Sequence, residues 1–306
     1  TETDTVFAET HQISIDELQS KVQLWKSKLL AERENRVRPG LDDKILASWN
    51  AMTISGLISC YKAFGEQEYL DLALANATFL KEKMIRKSGE IFHSYKNNQT
   101  KISGFLEDYA FMIEACEALF EVTGETSWIE LAQQLTERSI AQFYNQQNMF
   151  FYFTSNRQTE LITRTIEVYD NVIPSSNSVM ARNLVRLSYL LDRPNYKKIA
   201  QNMLERMTGN MAEYPSGYSN WAQLFLDFTT NQKEVVIVGE NAIEQLKNLQ
   251  KHYLPDVIFC SSTTASDLPL LKNRYVSGKT LIYICQDNTC QLPVETIEDA
   301  LRLLSN

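Results

Sequence analysis

Glycine and proline are scarce, at 10 and 7 in 306 residues. A β-sandwich or barrel needs turn residues at short intervals, so this scarcity disfavours both and favours long helices. No apolar run approaches the roughly 20 residues that span a bilayer, and a membrane location is not expected. There is no lysine or arginine run, and 38 acidic residues outnumber 30 basic ones, for a net charge of −8. Neutralising phosphates drives nucleic-acid binding, so nucleic acid is not an expected partner. Histidine is rarer still, three in all, and none stands in H-x-x-E-H, H-E-x-x-H or a Cys/His cluster. No metal site and no cofactor are expected. Val238-Gly239-Glu240 lacks the later glycines of a dinucleotide fingerprint, and no G-x-S-x-G supports a serine triad. The five cysteines are odd in number and mostly in apolar surroundings, which points to reduced thiols and a cytoplasmic location. Cys285 and Cys290 have four residues between them, unlike a C-x-x-C redox pair, and are expected to be structural or incidental. Residues Thr1 to Ser14 are polar, with no leader and no initiator Met, so a cropped or incomplete chain is expected.

What is present is helical periodicity. Residues 1–13 read as extended. Ser14-Ile-Asp-Glu17 is a capping box, opening a helix to about Asn35 with Ile15, Leu18, Val22, Trp25 and Leu29 on one stripe. A second helix is expected from the paired Asp42 and Asp43 to Phe64, with Gly65 ending it. Further helices are predicted over about 67–86, 105–124, 126–146, 174–191, 194–208 and 217–229. Residues 88–104 form a long loop or short hairpin. Met149–Phe153 and Glu160–Thr163 resemble the strands of a second hairpin. Asp42, Asp108 and Pro174 are each 66 residues from the next and each opens a mostly apolar helix, which indicates a repeated helical hairpin. The expected fold is mainly α, an incomplete (α/α)6 toroid over residues 1–231 with about four hairpins. A small α/β domain with a short parallel sheet follows over 232–306, marked by the mostly apolar runs Val235–Gly239, Asp256–Cys260 and Thr280–Cys285.

In a toroid the inner helices run parallel and their N-termini share one mouth. With helices about 8–10 Å apart, Asp42 and Asp108 could stand at the roughly 6.5–9.5 Å that separates the carboxyls of inverting glycosidases. Asp42, Asp108 and Asp170 are therefore the catalytic candidates. His93 can reach the same mouth, and Trp49 and Tyr109 offer flat faces for a sugar ring. Plainer readings stand beside these. Acids in a helix's first turn cap it, Trp49 and Tyr109 are core, Asn50 is a buried amide needing partners, and Arg164 and Asp170 form an ion pair that pins a loop.

Three motifs carry a family resemblance: R-x-R-P-x-L-D-D-K-x-L-x-S-W-N from Arg36, F-L-E-D-Y-A from Phe105, and R-x-x-E-x-x-D-N-x-x-P-S-x-N-S from Arg164. In this order and spacing, with the closing C-x-x-x-x-C-x-x-P, they resemble the thioredoxin-domain-containing family of spermatogenesis-associated protein 20 and its bacterial relatives. The resemblance spans essentially the whole chain. It implies a toroid similar to those of N-acylglucosamine 2-epimerases and six-hairpin glycosidases, and a chain equivalent to the C-terminal part of such a protein. An upstream thioredoxin-like domain and the first toroid helices would be missing partners. The function this implies is a carbohydrate-active or carbohydrate-binding toroid with a small sugar ligand. The alternative is a non-enzymatic scaffold presenting the thioredoxin-like domain to protein clients. Arg38, Asp43, Trp49, Asn50, His93, Glu107, Tyr109, Arg164, Ser175 and Asn177 are the candidate ligand-binding residues.

Overall fold

The computed structural model describes residues 2–158, 163–230, 232–286 and 289–305. It divides into two compact units, Thr1–Asp43 and Lys44–Asn306. Among the described residues, no helix is long and apolar enough to cross a membrane.

The first unit is a pair of helices, α1 (Asp4–Thr10) and α2 (Ile15–Glu34). α1 replaces the extended segment expected there, because the Thr3 side chain accepts the Val6 amide and Asp4 complements the helix dipole. α2 begins as expected, with Ser14 Oγ accepting the Glu17 amide at 3.1 Å. Its apolar stripe is not covered, however: Leu18 is buried, while Ile15, Trp25 and Leu29 are exposed. Seven residues of α1 rise about 10 Å against about 30 Å for α2, so the shorter helix shields one end only.

The second unit opens on β1 (Ile45–Leu46) and α3 (Ala47–Phe64). α3 therefore starts four residues after Asp43, and Asp42 and Asp43 lie in irregular chain instead of its first turn. The reason is tertiary. Ile45 and Leu46 pair with Tyr95 and Ser94 of β2 (Phe92–Lys96), which holds the chain extended up to the helix. α4 (Gln67–Phe79) runs into a single π turn at Leu80–Met84. β2 turns back into β3 (Gln99–Ser103) through Asn97 and Asn98, both with positive φ, the turn this dipeptide favours. Then come α5 (Leu106–Thr123), α6 (Thr126–Phe143), a short hairpin of β4 (Tyr144–Asn145) and β5 (Phe150–Phe151), α7 (Ser176–Leu190), α8 (Pro194–Glu213) and α9 (Ser219–Thr229). The strand expected near Glu160 falls largely outside the described residues, and Phe150–Phe151 pairs with Tyr144–Asn145. α7 starts at Ser176 with Ser175 as its cap, two residues beyond Pro174. The helix starts are thus Ala47, Leu106 and Ser176, unequally spaced, and the 66-residue interval was not a register of helix starts.

α3 packs on α5, α5 on α7 and α7 on α9, while α4, α6 and α8 pack behind α3, α5 and α7. This two-layer arc of helical hairpins is the α/α toroid arrangement expected from the sequence. α5 and α7 are buried along most of their length. Gly124 ends α5 with a left-handed φ of 68°, and a Cβ there would stand 2.8 Å from the Ser261 carbonyl oxygen, so the turn needs glycine twice over.

Ser261 belongs to the closing sheet, which comprises β6 (Lys233–Val238), β7 (Val257–Ser262), β8 (Leu281–Gln286) and β9 (Thr289–Cys290), with α10 (Ala242–Leu249) between β6 and β7 and α11 (Ile297–Leu304) at the end. The order is β7-β6-β8-β9. β6 and β7 are parallel, but β8 runs antiparallel to β6, so the sheet is mixed and not parallel as expected. A parallel return needs a long crossover, which α10 supplies, whereas residues 263–280 form only turns and irregular chain. The strands alternate in the faces they present. Val236, Val238, Ile258 and Cys260 join the core of the helical layers, while Val235, Ile237, Phe259, Ile282 and Ile284 pack with α10 and α11. The change of pattern near residue 231 is thus a change of layer within one compact unit. Cys285 and Cys290, directly opposite on β8 and β9, are joined in a disulfide, contrary to the expectation of reduced thiols; pairing across two strands brings together residues that sequence spacing leaves ambiguous.

Candidate functional site

The N-termini of the inner helices meet at one end of the second unit, and buried side chains tie them together. Phe105 precedes α5, and Asp108, in its first turn, returns Oδ2 to the Phe105 amide at 2.9 Å. Its Oδ1 accepts the Ser48 amide of α3 at 3.0 Å. The same carboxylate faces His93 Nδ1, at 3.0 and 3.2 Å from its two oxygens. Asp108 is fully buried. Two helix N-termini and an imidazole therefore converge on one carboxylate, which suits the positive ends of both helix dipoles.

Asp170 does the same for the next pair. Its Oδ1 accepts the Ser175 amide at 2.8 Å and the Ser178 hydroxyl at 2.9 Å, and its Oδ2 accepts the Asn220 amide at the start of α9 at 2.9 Å. Asn177 lies between the two pairs. The Phe151 amide donates to Asn177 Oδ1, and Asn177 Nδ2 donates to the carbonyls of Phe151 and Glu167. Ser175 caps α7 through the Ser178 amide. Asp108, Asp170 and Asn177 are buried, with their polar atoms engaged in bracing the helix starts and the loop before α7.

Other candidates also move to structural places. Tyr109 is buried against Phe143, its hydroxyl accepting from the Ile91 amide and from Arg138 Nε, each at 3.2 Å; it offers no stacking face. Arg164 does not pair with Asp170. It donates to the carbonyls of Thr154 and Gln142 and lies 4.1 Å over the Tyr152 ring, pinning the loop that way. Asn50 donates to the Leu46 carbonyl and its own carbonyl accepts from Asn76, bracing α3 on α4. Arg38 pairs with Glu34, and with Asp42 and Asp43 it belongs to the first unit.

What remains open is His93, Glu107 and their neighbours. His93 sits on β2, packed 4.9 Å from Phe105, whose ring stacks on Phe153. A carboxylate only accepts, so the proton lies on Nδ1, and the Nε2 edge carries no hydrogen bond to a described residue. The hydrogen bond to Asp108 raises the imidazole pKa above its ordinary 6.5, against the opposing effect of burial; the charges of Asp108 and Glu107 add to the rise. Glu107 Oε1 is 4.0 Å from His93 Nδ1, and the Ser48 hydroxyl donates to it at 3.4 Å. Burial raises the Glu107 carboxyl first, then the charge of Asp108, with a smaller push from Glu167. Burial also raises Glu167 itself. Trp49 is not core: it is 63% exposed in the first turn of α3. Tyr169, beside Asp170, lies parallel to Tyr214 with ring centres 6.0 Å apart, both about half exposed.

Ser48 and Glu167 were missed as candidates, although both lie inside the sequence motifs; an acid three residues after Arg164 and a serine before Trp-Asn carry no local sign of facing a shared site. Among the described residues, His93, Glu107 and Asp108 are close enough to share an ion, with ligand atoms within 4.8 Å. Two backbone amides and the imidazole already occupy the oxygens of Asp108, so the trio reads as a hydrogen-bonded acid–base group. A carboxylate that fixes the tautomer of an imidazole, beside a carboxyl with a raised pKa, is equipped to take and return protons.

No family model matches the chain. It is 27% identical over 320 residues to an uncharacterised protein of Caenorhabditis elegans, covering 99% of this chain and 43% of that one. Spermatogenesis-associated protein 20 of Homo sapiens is 27% identical over 289 residues, 87% of this chain and 37% of that one, and the protein of that name from Rattus norvegicus is 26% identical over 304 residues, 92% and 38%. The chain thus spans less than half the length of the curated relatives it matches. Among solved structures it is similar to a cellobiose 2-epimerase from Bacillus thermoamylovorans, with TM-score 0.45 and 14% identity over 53% of this chain and 44% of that one. A GH76 alpha-mannanase from Bacteroides thetaiotaomicron gives 0.43 and 15% over 56% and 47%.

Proposed function

We propose that residues 44–306 are the carbohydrate-active part of a toroid enzyme that moves a proton on a sugar, as an isomerase or epimerase does. The observation that carries this reading is the His93–Asp108 pair. Asp108 holds the Nδ1 proton and leaves Nε2 to take a proton from a sugar carbon beside a carbonyl, or to return one. Glu107, whose carboxyl tends to keep its proton, is the second acid–base group. The setting fits a hydroxylated ring: Glu107, braced by Ser48, and Glu167 exchange hydrogen bonds with hydroxyls, while Trp49, Tyr169 and Tyr214 offer exposed aromatic faces.

The test incubates the full-length protein with aldoses, ketoses and their N-acyl derivatives in D2O and follows carbon-bound deuterium by NMR. Deuterium uptake into one sugar, lost in His93→Asn with the fold retained, is the expected result. Absence of exchange and of saturable binding across the whole panel would overturn the reading. The non-enzymatic scaffold would then take its place.

A further inference from the structure

About two turns along α3 from Ser48 lies a second polar site that the acid–base pair does not use. A cavity of about 150 Å³ between α3, α5 and α7 is lined by Ser55, Glu114, Glu117 and Arg182, among others. Charged groups surround it. Lys62 Nζ meets Glu121 at 2.7 Å, Arg186 bridges Glu121 and Glu117 at 3.2 Å each, and Arg182 Nε is 3.9 Å from Asp227. These ion pairs leave some atoms without hydrogen bonds. Ser55 Oγ, Glu117 Oε1 and Arg182 Nε are buried and make none, Glu117 Oε2 is held by Arg186 at 3.2 Å, and Glu117 is only 2% exposed. Buried polar atoms that make no hydrogen bond are costly, so several around one cavity point to an occupant.

The chemistry of the atoms narrows what that occupant is. Arg182 Nε only donates. Glu117 accepts when ionised, and burial holds its carboxyl well above the usual range, so it also donates when protonated. An anion would satisfy Arg182 but face Glu114 and Glu117. An ammonium group would satisfy Glu117 but has no lone pair for Arg182. A hydroxyl both accepts and donates. The cavity is several times the roughly 30 Å³ share of one liquid water, so it has room for a molecule with more than one hydroxyl.

We propose that the cavity between α3, α5 and α7 binds a small neutral polyol through Ser55, Glu117 and Arg182, at a site separate from His93. This does not rest on the acid–base reading of His93. The experiment is isothermal titration of the full-length protein with glycerol, erythritol and myo-inositol, followed by crystals soaked in whichever binds. The expected result is saturable binding of at least one polyol at one site per chain. The Ser55→Ala and Arg182→Lys variants should weaken it about tenfold or more, the effect of one lost hydrogen bond, and His93→Asn should leave it unchanged. Ser55→Ala removes one hydroxyl from a half-buried position, so it remains informative if Arg182→Lys fails to fold. Absence of saturable binding by all three polyols, water alone in the soaked cavity, or binding sensitive to His93→Asn and not to Ser55→Ala would overturn the proposal.

Discussion

Asp108 Oδ1 accepts the Ser48 amide at 3.0 Å, across sixty residues, so the first turn of α5 caps α3 as well as itself. Its carboxylate braces two helix starts at once. The consequences are measurable.

Asp108→Ala leaves the amides of Ser48 and Phe105 and the imidazole of His93 without their acceptor in a buried site. With about 1–3 kcal/mol for each orphaned group, the loss should be about 3 kcal/mol or more. Urea unfolding followed by tryptophan fluorescence would measure it. Asp108→Asn keeps one acceptor oxygen and should lose less. A loss under 1 kcal/mol in the alanine variant would contradict the bracing.

The raised pKa of His93 makes stability depend on pH with a definite sign. The folded state holds this proton more tightly than the unfolded chain does, so the stabilisation is complete below about pH 6.5 and is lost as pH rises through the folded value above it. With three histidines in the chain, NMR titration resolves each one. His93 should titrate above 6.5, and Asp108→Asn should bring it down. An imidazole titrating below 6.5 in the wild type would contradict the pairing.

Glu117 has the same sign for a different reason. Burial outweighs its partner Arg186, and its carboxyl sits well above the ordinary 4.5. As pH rises past 4.5 the unfolded chain ionises first, and folding loses stability up to the folded value. Glu117→Gln carries no such penalty. Relative to wild type, the glutamine variant should therefore gain ground between pH 5 and pH 8, read from paired denaturation curves. Parallel curves at both values would contradict this.

The Cys285–Cys290 disulfide leaves Cys60, Cys116 and Cys260 free. A thiol assay in denaturant should count three thiols before reduction and five after. Closing so short a loop is worth about 2 kcal/mol by the chain-entropy estimate. Reduction should lower the unfolding free energy by about that much; five thiols without reductant would show that the bond does not form.

The features legible in the chain were those decided locally. Ser14 and Gly65 mark helix ends because a cap depends on a few neighbouring residues, and the short unbroken run of β-branched residues Val235–Val238 marks a buried strand. The layered hairpins follow from helical periodicity, because an apolar stripe must be covered. Tertiary pairing decided what local rules could not. Asp42-Asp43 and Glu107-Asp108 look alike in sequence. Yet β1 pairs with β2, keeps the chain extended to Leu46 and leaves Asp42 and Asp43 outside any helix, while Asp108 is drawn into two helix caps and an imidazole. The direction of β8, the bond between Cys285 and Cys290 and the exposure of Trp49 likewise depend on residues far along the chain. The opposite was true of His93: its sequence neighbours say nothing of an acid–base role, and only the fold sets Asp108 behind it.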